Sequence, residues 1–446
     1  MIAMNIDPLR VALISDHASP IAQLGGVDTG GQNVYVAQLA AHLARMGHDV
    51  AVYTRRDNND LAETVDMPEG YRVVNVAAGP ARPIPKEALL PYMQAFADQM
   101  VRKLSRDGCD VVHANFFMSG LVAIRLKTAL RIPFVVTFHA LGRVRLLYQA
   151  AADRFPIERL SIEDQIVADA DRIIAECPQD AEDQISLYSA DPSKLRIVPC
   201  GFDRSELQPI DRAIARRTLG LDPELPIILQ LGRLVPRKGV DNAIRGFARM
   251  VHGYGVAARL LIVGGETDVP DPRSTPEIGR LQQVAREENV AEQVIFAGRA
   301  DRQRLKYYYS AADVFVTTPW YEPFGITPLE SMACGTPVVG ANVGGIKYSV
   351  VDSSTGFLVP ANEPDSLGQR LAQLMGNAEL RKRFGQESLR RVERHFTWRR
   401  VASAINDVYQ EVVAEQTASP IQRLAGGLAT LIEQTNASAS RGIAKP

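Results

Sequence analysis

The chain is poor in cysteine, in net charge and in long apolar runs, and each shortage excludes a class of protein. Its 446 residues include four cysteines, Cys109, Cys177, Cys200 and Cys334. None forms a C-x-x-C pair, and no Cys/His cluster has zinc spacing, so a disulfide scaffold and a zinc module are both excluded. Each thiol stands in or beside an apolar stretch, where cysteine behaves as a small hydrophobe; a reducing, cytoplasmic setting is expected. A net charge of −1 provides no global field to recruit nucleic acid or an anionic membrane. The first apolar run, 9–14, stops at Ser15-Asp16-His17 and reads as a strand rather than a signal peptide. No run approaches the ~18–20 apolar residues of a membrane span. The dinucleotide fingerprint G-x-G-x-x-G is missing too, which argues against an NAD-linked oxidoreductase.

What is present is alternation. Short runs rich in Val and Ile fall at 9–15, 49–54, 72–77, 110–114, 134–138, 172–175 and 195–199, with helical segments between most of them, among them 31–46, 87–104 and 180–187. Unalternating apolar strands separated by helices imply a parallel sheet covered on both faces. Segment 203–225, charged and carrying Pro209 and Pro223, interrupts the rhythm and reads as a linker. The alternation restarts at 227–231, 259–263, 293–297, 313–317, 336–340 and 356–359, and an amphipathic helix is expected over about 399–413. The fold class is therefore α/β, with two doubly wound domains whose strand carboxyl edges face a common cleft, the default ligand site.

The densest cluster of chemistry is Tyr321-Glu322-Pro323-Phe324-Gly325-Ile326-Thr327-Pro328-Leu329-Glu330. Pro and Gly between the two carboxylates prevent them from sharing one regular helix. A strand, a glycine-containing loop and a helix N-terminus suit an anionic ligand, and adjacent carboxylates suit sugar hydroxyls. Glu330 has a competing reading: Thr327 at N-cap, Pro328 at N1 and Glu330 at N3 would form a capping box. Leu231-Gly232-Arg233-Leu234-Val235-Pro236-Arg237-Lys238-Gly239 follows the second domain's first strand, and Arg233 with Lys238 there suits a diphosphate. Gly25-Gly26-Val27-Asp28-Thr29-Gly30-Gly31-Gln32-Asn33 opens the first helix with a backbone able to approach a ligand closely. His139 stands at a strand end and could donate to a sugar hydroxyl; His113 has a weaker claim. Lys86, Arg143, Arg145 and Arg159 are basic residues of the first domain suited to an acceptor phosphate, or to ordinary surface charge. Gly344-Gly345-Ile346-Lys347 would either complete a pocket wall or form only a tight loop.

Taken together these segments resemble the retaining glycosyltransferases of family GT4, with the GT-B fold. The glutamate pair, its continuation Ser331-Met332-Ala333-Cys334-Gly335-Thr336-Pro337-Val338-Val339, and G-R-L-V-P-R-K-G carry the resemblance over about residues 9–415. It implies an N-terminal acceptor domain (1–205) completed by a crossover helix (396–415), a nucleotide-sugar donor domain (206–395), and a partly disordered tail (416–446). It also implies a nucleoside diphosphate hexose (UDP-, ADP- or GDP-) as co-substrate, with no bound metal or cofactor. Glu330 would hold the ribose, Glu322 the hexose hydroxyls, and Arg233 and Lys238 the diphosphate. Phe324, Gly325, Ile326 and Thr327 would offer backbone amides, His139 would touch the hexose, and Gly26 and Gly31 would line the opposite wall. Glu322, His139, Arg233 and Lys238 would form the catalytic group. V-D-T-G-G-Q-N-V-Y-V and H-A-N-F-F-M-S-G are most similar to two branches that use phosphorylated acceptors, sucrose-phosphate synthases and D-inositol-3-phosphate glycosyltransferases. Gln32, Asn33, Lys86 and Arg159 would contact the acceptor. Gln32 leans toward the sucrose-phosphate branch, whereas Phe116 and Ala140 stand where inositol-phosphate enzymes carry Tyr and Thr. A phosphorylase and a non-catalytic nucleotide-sugar binder are the remaining rivals.

Overall fold

The computed structural model describes residues 7–21 and 30–418. Gly26 and most of the expected tail lie outside the described residues. The chain builds two sheets. The first comprises β1 (Arg10–Ile14), β2 (Asp49–Arg55), β3 (Thr64–Asp66), β4 (Arg72–Val76), β5 (Val111–Asn115), β6 (Phe134–Thr137), β7 (Arg172–Ala175) and β8 (Leu195–Ile197), in the order β3-β4-β2-β1-β5-β6-β7-β8. The second comprises β9 (Ile227–Leu231), β10 (Arg259–Val263), β11 (Val294–Phe296), β12 (Val314–Thr317), β13 (Val338–Ala341) and β14 (Gly356–Val359), in the order β11-β10-β9-β12-β13-β14. Every pairing is parallel except that of β3 with β4. All five residues of β5 and of β9 are buried, as continuous apolar strands between two helical layers must be.

Thirteen of these strands coincide with the apolar runs. The fourteenth, β3, is a three-residue edge strand, half exposed and without an apolar run to betray it. The helix expected over 87–104 begins later, at Met93–Asp107, because Pro91 falls among the residues that lead into it as two short 3₁₀ turns.

Segment 203–225 is a docked part of the second unit. Its helix, Arg212–Leu219, packs on helix Leu305–Ala311, and Arg216 is buried with Nη2 2.8 Å from Asp313. Arg212 reaches the other oxygen of Asp313, also at 2.8 Å, and the backbone N–H of Ile227 donates at 2.9 Å to the oxygen that Arg216 holds.

The chain passes between the two units twice, and the passes touch. Phe202 and Thr397 form a parallel bridge; the N–H of Phe202 donates to Phe396 O at 2.8 Å and that of Trp398 to Phe202 O at 3.2 Å. Helix Trp398–Thr417 then returns to the first unit. It packs on helix Gly31–Arg45, and Tyr409 bonds His113 at 2.7 Å. Arg172 and Arg196 both pair with its Glu411. None of the helices among the described residues is long and apolar enough to cross a membrane.

Candidate active site in the cleft between the sheets

A cavity of about 700 Å³ opens between the two sets of strand carboxyl ends. Its second-domain wall carries Arg233, Lys238, Glu322, Phe324, Gly325, Ile326, Thr327 and Glu330; its first-domain wall carries Gly31, Gln32, Asn33, Lys86 and His139.

Lys238 follows β9 and Glu322 follows β12, and the two strands are neighbours. Their loops are locked together at Gly239, where φ is +62° and a Cβ would stand 1.9 Å from Thr318 O. Thr318 Oγ1 donates to Gly239 O at 2.7 Å, and Trp320 N–H to Arg237 O at 2.9 Å. Lys238 and Glu322 thereby meet as an ion pair. Burial pushes the Lys238 ammonium down to about 8, with Glu322 opposing only part of that shift. Burial pushes the Glu322 carboxyl up, but Lys238, Arg237 and Arg233 outweigh it and hold the group below its ordinary value. The Gly344-Gly345 turn backs this loop: Gly345 N–H donates to Glu322 O at 3.1 Å. Lys347 leaves the turn to bond Gln179 of the first unit at 2.8 Å.

The capping box does not form. Helix Ile326–Ala333 starts two residues before the expected first turn, with Gly325 at N-cap and no side-chain cap bond. Glycine at φ +90° makes the turn, so Thr327 lies inside the helix and Glu330 one turn further on. Glu330 is buried and accepts from Tyr309 Oη at 2.8 Å and Arg302 Nη1 at 3.3 Å. Arg302 also reaches Glu206 at 2.5 Å, and Gln38 of the first unit donates to the other oxygen of Glu206 at 3.0 Å. Burial lowers the Arg302 guanidinium, but Glu330 and Glu206 outweigh it and leave it raised.

On the opposite wall, Gln32 donates to Ser15 Oγ and Asn115 O, both at 3.3 Å. Asn33 is spent on the fold: its Oδ1 accepts Gly30 N–H at 2.9 Å at the helix start, and its Nδ2 donates to Ser19 O at 2.9 Å. Arg159 is buried behind the wall rather than exposed on it. Its Nε lies 2.7 Å from Glu163, its guanidinium packs against the rings of Phe116, Phe117 and Phe155, and it bonds Ala140 O, leaving Nη1 without a hydrogen-bond partner. Phe155 also carries Arg145, which lines the cleft and is paired with Asp153 at 2.9 Å. Arg143 instead pairs with Asp164.

His139 sits in the left-handed region, φ +57°, with both ring nitrogens engaged inside the protein: Nδ1 by Glu176 at 3.1 Å and Nε2 by Asn115 Oδ1 at 3.0 Å. The ring therefore has no nitrogen left to donate to a sugar hydroxyl, contrary to the expectation from its strand-end position. His113 is fully buried between Tyr409 and Thr137, and burial first, then His139, pushes it down to about 3. It ties the C-terminal helix to the sheet and does not line the cleft. Glu176, Arg302 and Tyr309 carry no motif; Glu176 alone had a signal, its place just past the end of a parallel strand.

The two halves also touch across the cleft mouth. Tyr148 stacks on Tyr321 with centroids 5.0 Å apart, and Gln149 donates to the Tyr321 hydroxyl.

Comparison with known proteins agrees with this arrangement. Residues 29–206 match the family model described as Glycosyltransferase Family 4, and residues 211–391 the model described as Glycosyl transferases group 1. A D-inositol 3-phosphate glycosyltransferase of Acidothermus cellulolyticus is 37% identical over 428 residues, covering 94% of each chain. One from Catenulispora acidiphila is 34% identical, covering 94% of this chain and 99% of the relative. Sucrose-phosphate synthase from Thermosynechococcus elongatus superposes with a TM-score of 0.83 at 31% identity, over 91% of this chain and 99% of that one. The structure of Anabaena HepE with UDP and glucose shares the fold at 17% identity, TM-score 0.69, over 90% of this chain and 100% of that one. With two facing parallel sheets, a returning C-terminal helix and relatives matched along nearly the whole chain, this protein belongs to glycosyltransferase family 4 and is a hexosyltransferase of the GT-B fold.

Proposed function

We propose that the enzyme transfers a hexose, with retention of anomeric configuration, from a nucleoside diphosphate sugar to a hydroxyl of a phosphorylated sugar. The observation that carries the proposal is the distribution of charge in one cavity. Arg233, Lys238 and the carboxylates Glu322 and Glu330 occupy the second-domain wall, and Lys86 and Arg145 the first-domain wall. In this reading Lys238 and Arg233 neutralise the departing diphosphate, the role of preorganised cations at developing negative charge. Glu322 accepts hexose hydroxyls and Glu330 the ribose hydroxyls. The amides from Phe324 to Thr327, at the start of helix Ile326–Ala333, face sugar and phosphate. Gly31 allows close approach from the other side, and His139, whose nitrogens are engaged within the protein, contacts the hexose through the carbon edge of its ring.

The acceptor phosphate falls to Lys86 and Arg145, with Gln32 beside them and the spare Nη1 of Arg159 behind Ala140. A sugar phosphate of the sucrose-phosphate synthase type is favoured over inositol phosphate. Phe116 is buried against His17, Phe117 and Phe155 and gives the wall an apolar face with no hydroxyl to offer. The inositol-phosphate reading draws its support from the names of the sequence relatives. Nucleotide-sugar chemistry and four free thiols support a cytoplasmic setting. The test is a matrix of radiolabelled UDP-, ADP- and GDP-hexoses against fructose 6-phosphate, inositol phosphate and unphosphorylated sugars. Transfer to fructose 6-phosphate is expected. Transfer only to inositol phosphate selects the second reading, and transfer only to unphosphorylated sugars overturns both.

A further inference from the structure

Four consecutive strands of the first sheet, β5-β6-β7-β8, end in a hydrogen-bonded row of which His139, Glu176 and Cys200 line the cleft and Asn115 is buried. Asn115 closes β5, His139 lies just past β6, Glu176 just past β7 and Cys200 beyond β8. The Asn115 Nδ2 donates to Ile14 O at 3.2 Å and His113 O at 3.3 Å, so its Oδ1 is the atom turned to His139 Nε2 and acts as an acceptor. On the other side of the ring, Glu176 Oε1 lies 3.1 Å from Nδ1 and also accepts the Cys200 thiol at 3.0 Å. Both ring nitrogens thus meet oxygen acceptors. A neutral imidazole carries one N–H, so the two contacts require one further proton, on the second ring nitrogen or on Glu176.

We infer that Glu176 is a positioning residue for hexosyl transfer: it holds His139 as an imidazolium, fixed in its left-handed conformation at the sugar side of the cleft. This inference rests on the assignment of His139 to the hexose subsite. A non-glycine residue in the left-handed region is strained, and such a residue persists where its surroundings over-determine it. Here the surroundings are the two ring bonds and the Tyr35 ring, edge-on with centroids 4.8 Å away. Glu176 is buried and would be an isolated charge without its partner. The paired groups present no net charge to a sugar whose anomeric carbon becomes cationic during transfer. The titratable groups around the pair are Tyr35 on the helix Gly31–Arg45, His113 on β5, Cys177 and Asp180 after β7, and Cys200 after β8. Asp180 is pushed up to about 7 by burial and by Glu176.

Two measurements test the inference. In protein labelled with ¹⁵N-histidine, the His139 resonances, assigned by their loss in His139→Gln, are expected to show two protonated nitrogens at neutral pH, and one in Glu176→Gln. In steady state, Glu176→Gln keeps the shape of the side chain, and is expected to lower kcat about 10–100-fold while UDP affinity stays within twofold, because the diphosphate and ribose groups are untouched. Wild-type turnover in Glu176→Gln overturns the inference, as does a singly protonated His139 in the wild type. If Glu176→Gln does not fold, the wild-type spectrum decides alone. A wild-type enzyme that moves hexose to no phosphorylated acceptor sinks the substrate assignment instead, and the spectrum still judges the pair.

Discussion

Lys238 and Glu322, brought from two neighbouring strand ends, neutralise each other at the spot where a sugar diphosphate is proposed to bind. The diphosphate must therefore draw Lys238 partly away from Glu322, while the hexose hydroxyls take up the released carboxylate oxygens. In this proposal donor binding exchanges one ion pair for one ionic contact to phosphate and hydrogen bonds from sugar hydroxyls to Glu322.

Replacing Lys238 with Met should cut kcat/KM by roughly 10–200-fold, the value of a charge-assisted contact of about 1.5–3 kcal/mol. Steady-state kinetics with saturating acceptor would measure it. Undiminished turnover would remove Lys238 from the mechanism.

Nucleotide affinity should depend on pH through the same ammonium. Lys238 titrates at about 8 in the free enzyme. It is charged below that pH and neutral above it, so affinity is full on the acid side and lost as pH rises. Above about pH 8 the association constant should fall by up to tenfold per pH unit, the limit for one proton. Calorimetry with UDP from pH 6.5 to 9.5 would show the slope, and Lys238→Arg should abolish it because guanidinium stays charged.

Thr327 and Glu330 separate capping from binding. No cap bond is made by Thr327, so Thr327→Ala should change stability by less than about 0.5 kcal/mol, whereas loss of a true N-cap costs roughly 0.5–2. Glu330→Gln should raise the donor KM about tenfold with little change in Tm, since the amide oxygen can still accept from Arg302 while the amide N–H donates to the Tyr309 hydroxyl. Urea titration and initial rates on both variants would decide between the roles.

Asp313 anchors the segment that joins the units to the second sheet. Asp313→Ala would leave Arg216 buried without its carboxylate, and breaking a buried pair costs about 3–5 kcal/mol. Urea denaturation should show the loss, and an Arg212→Ala variant, whose own side chain is about half exposed, should show far less.

The fold was legible because both sheets are parallel and buried on both faces, so each inner strand had to be a continuous apolar run. β3 escaped because three half-exposed residues at an edge need no such run. The glutamate motif lines the second-domain wall of the cavity; Thr-Pro-Leu-Glu has the form of a capping box, and only the backbone shows that Gly325 starts the helix earlier. Lys86 and Arg159 are alike as isolated cations in the sequence; burial against three aromatic rings separates them. Glu176, Arg302 and Tyr309 stand far from any motif and become neighbours of His139 and Glu330 only once the sheets are assembled.

The bridge between Phe202 and Thr397 means that the first unit is made from both ends of the chain. Its sheet is complete by Ile197, yet the helix that covers His113 and Tyr35 is some two hundred residues away. On the ribosome the first unit must therefore wait, with one apolar face uncovered, until helix Trp398–Thr417 has been made. A chain released early, before Trp398, would carry a finished second sheet beside a first unit with one face unroofed, and quality control in the cell would meet it as an unfinished protein.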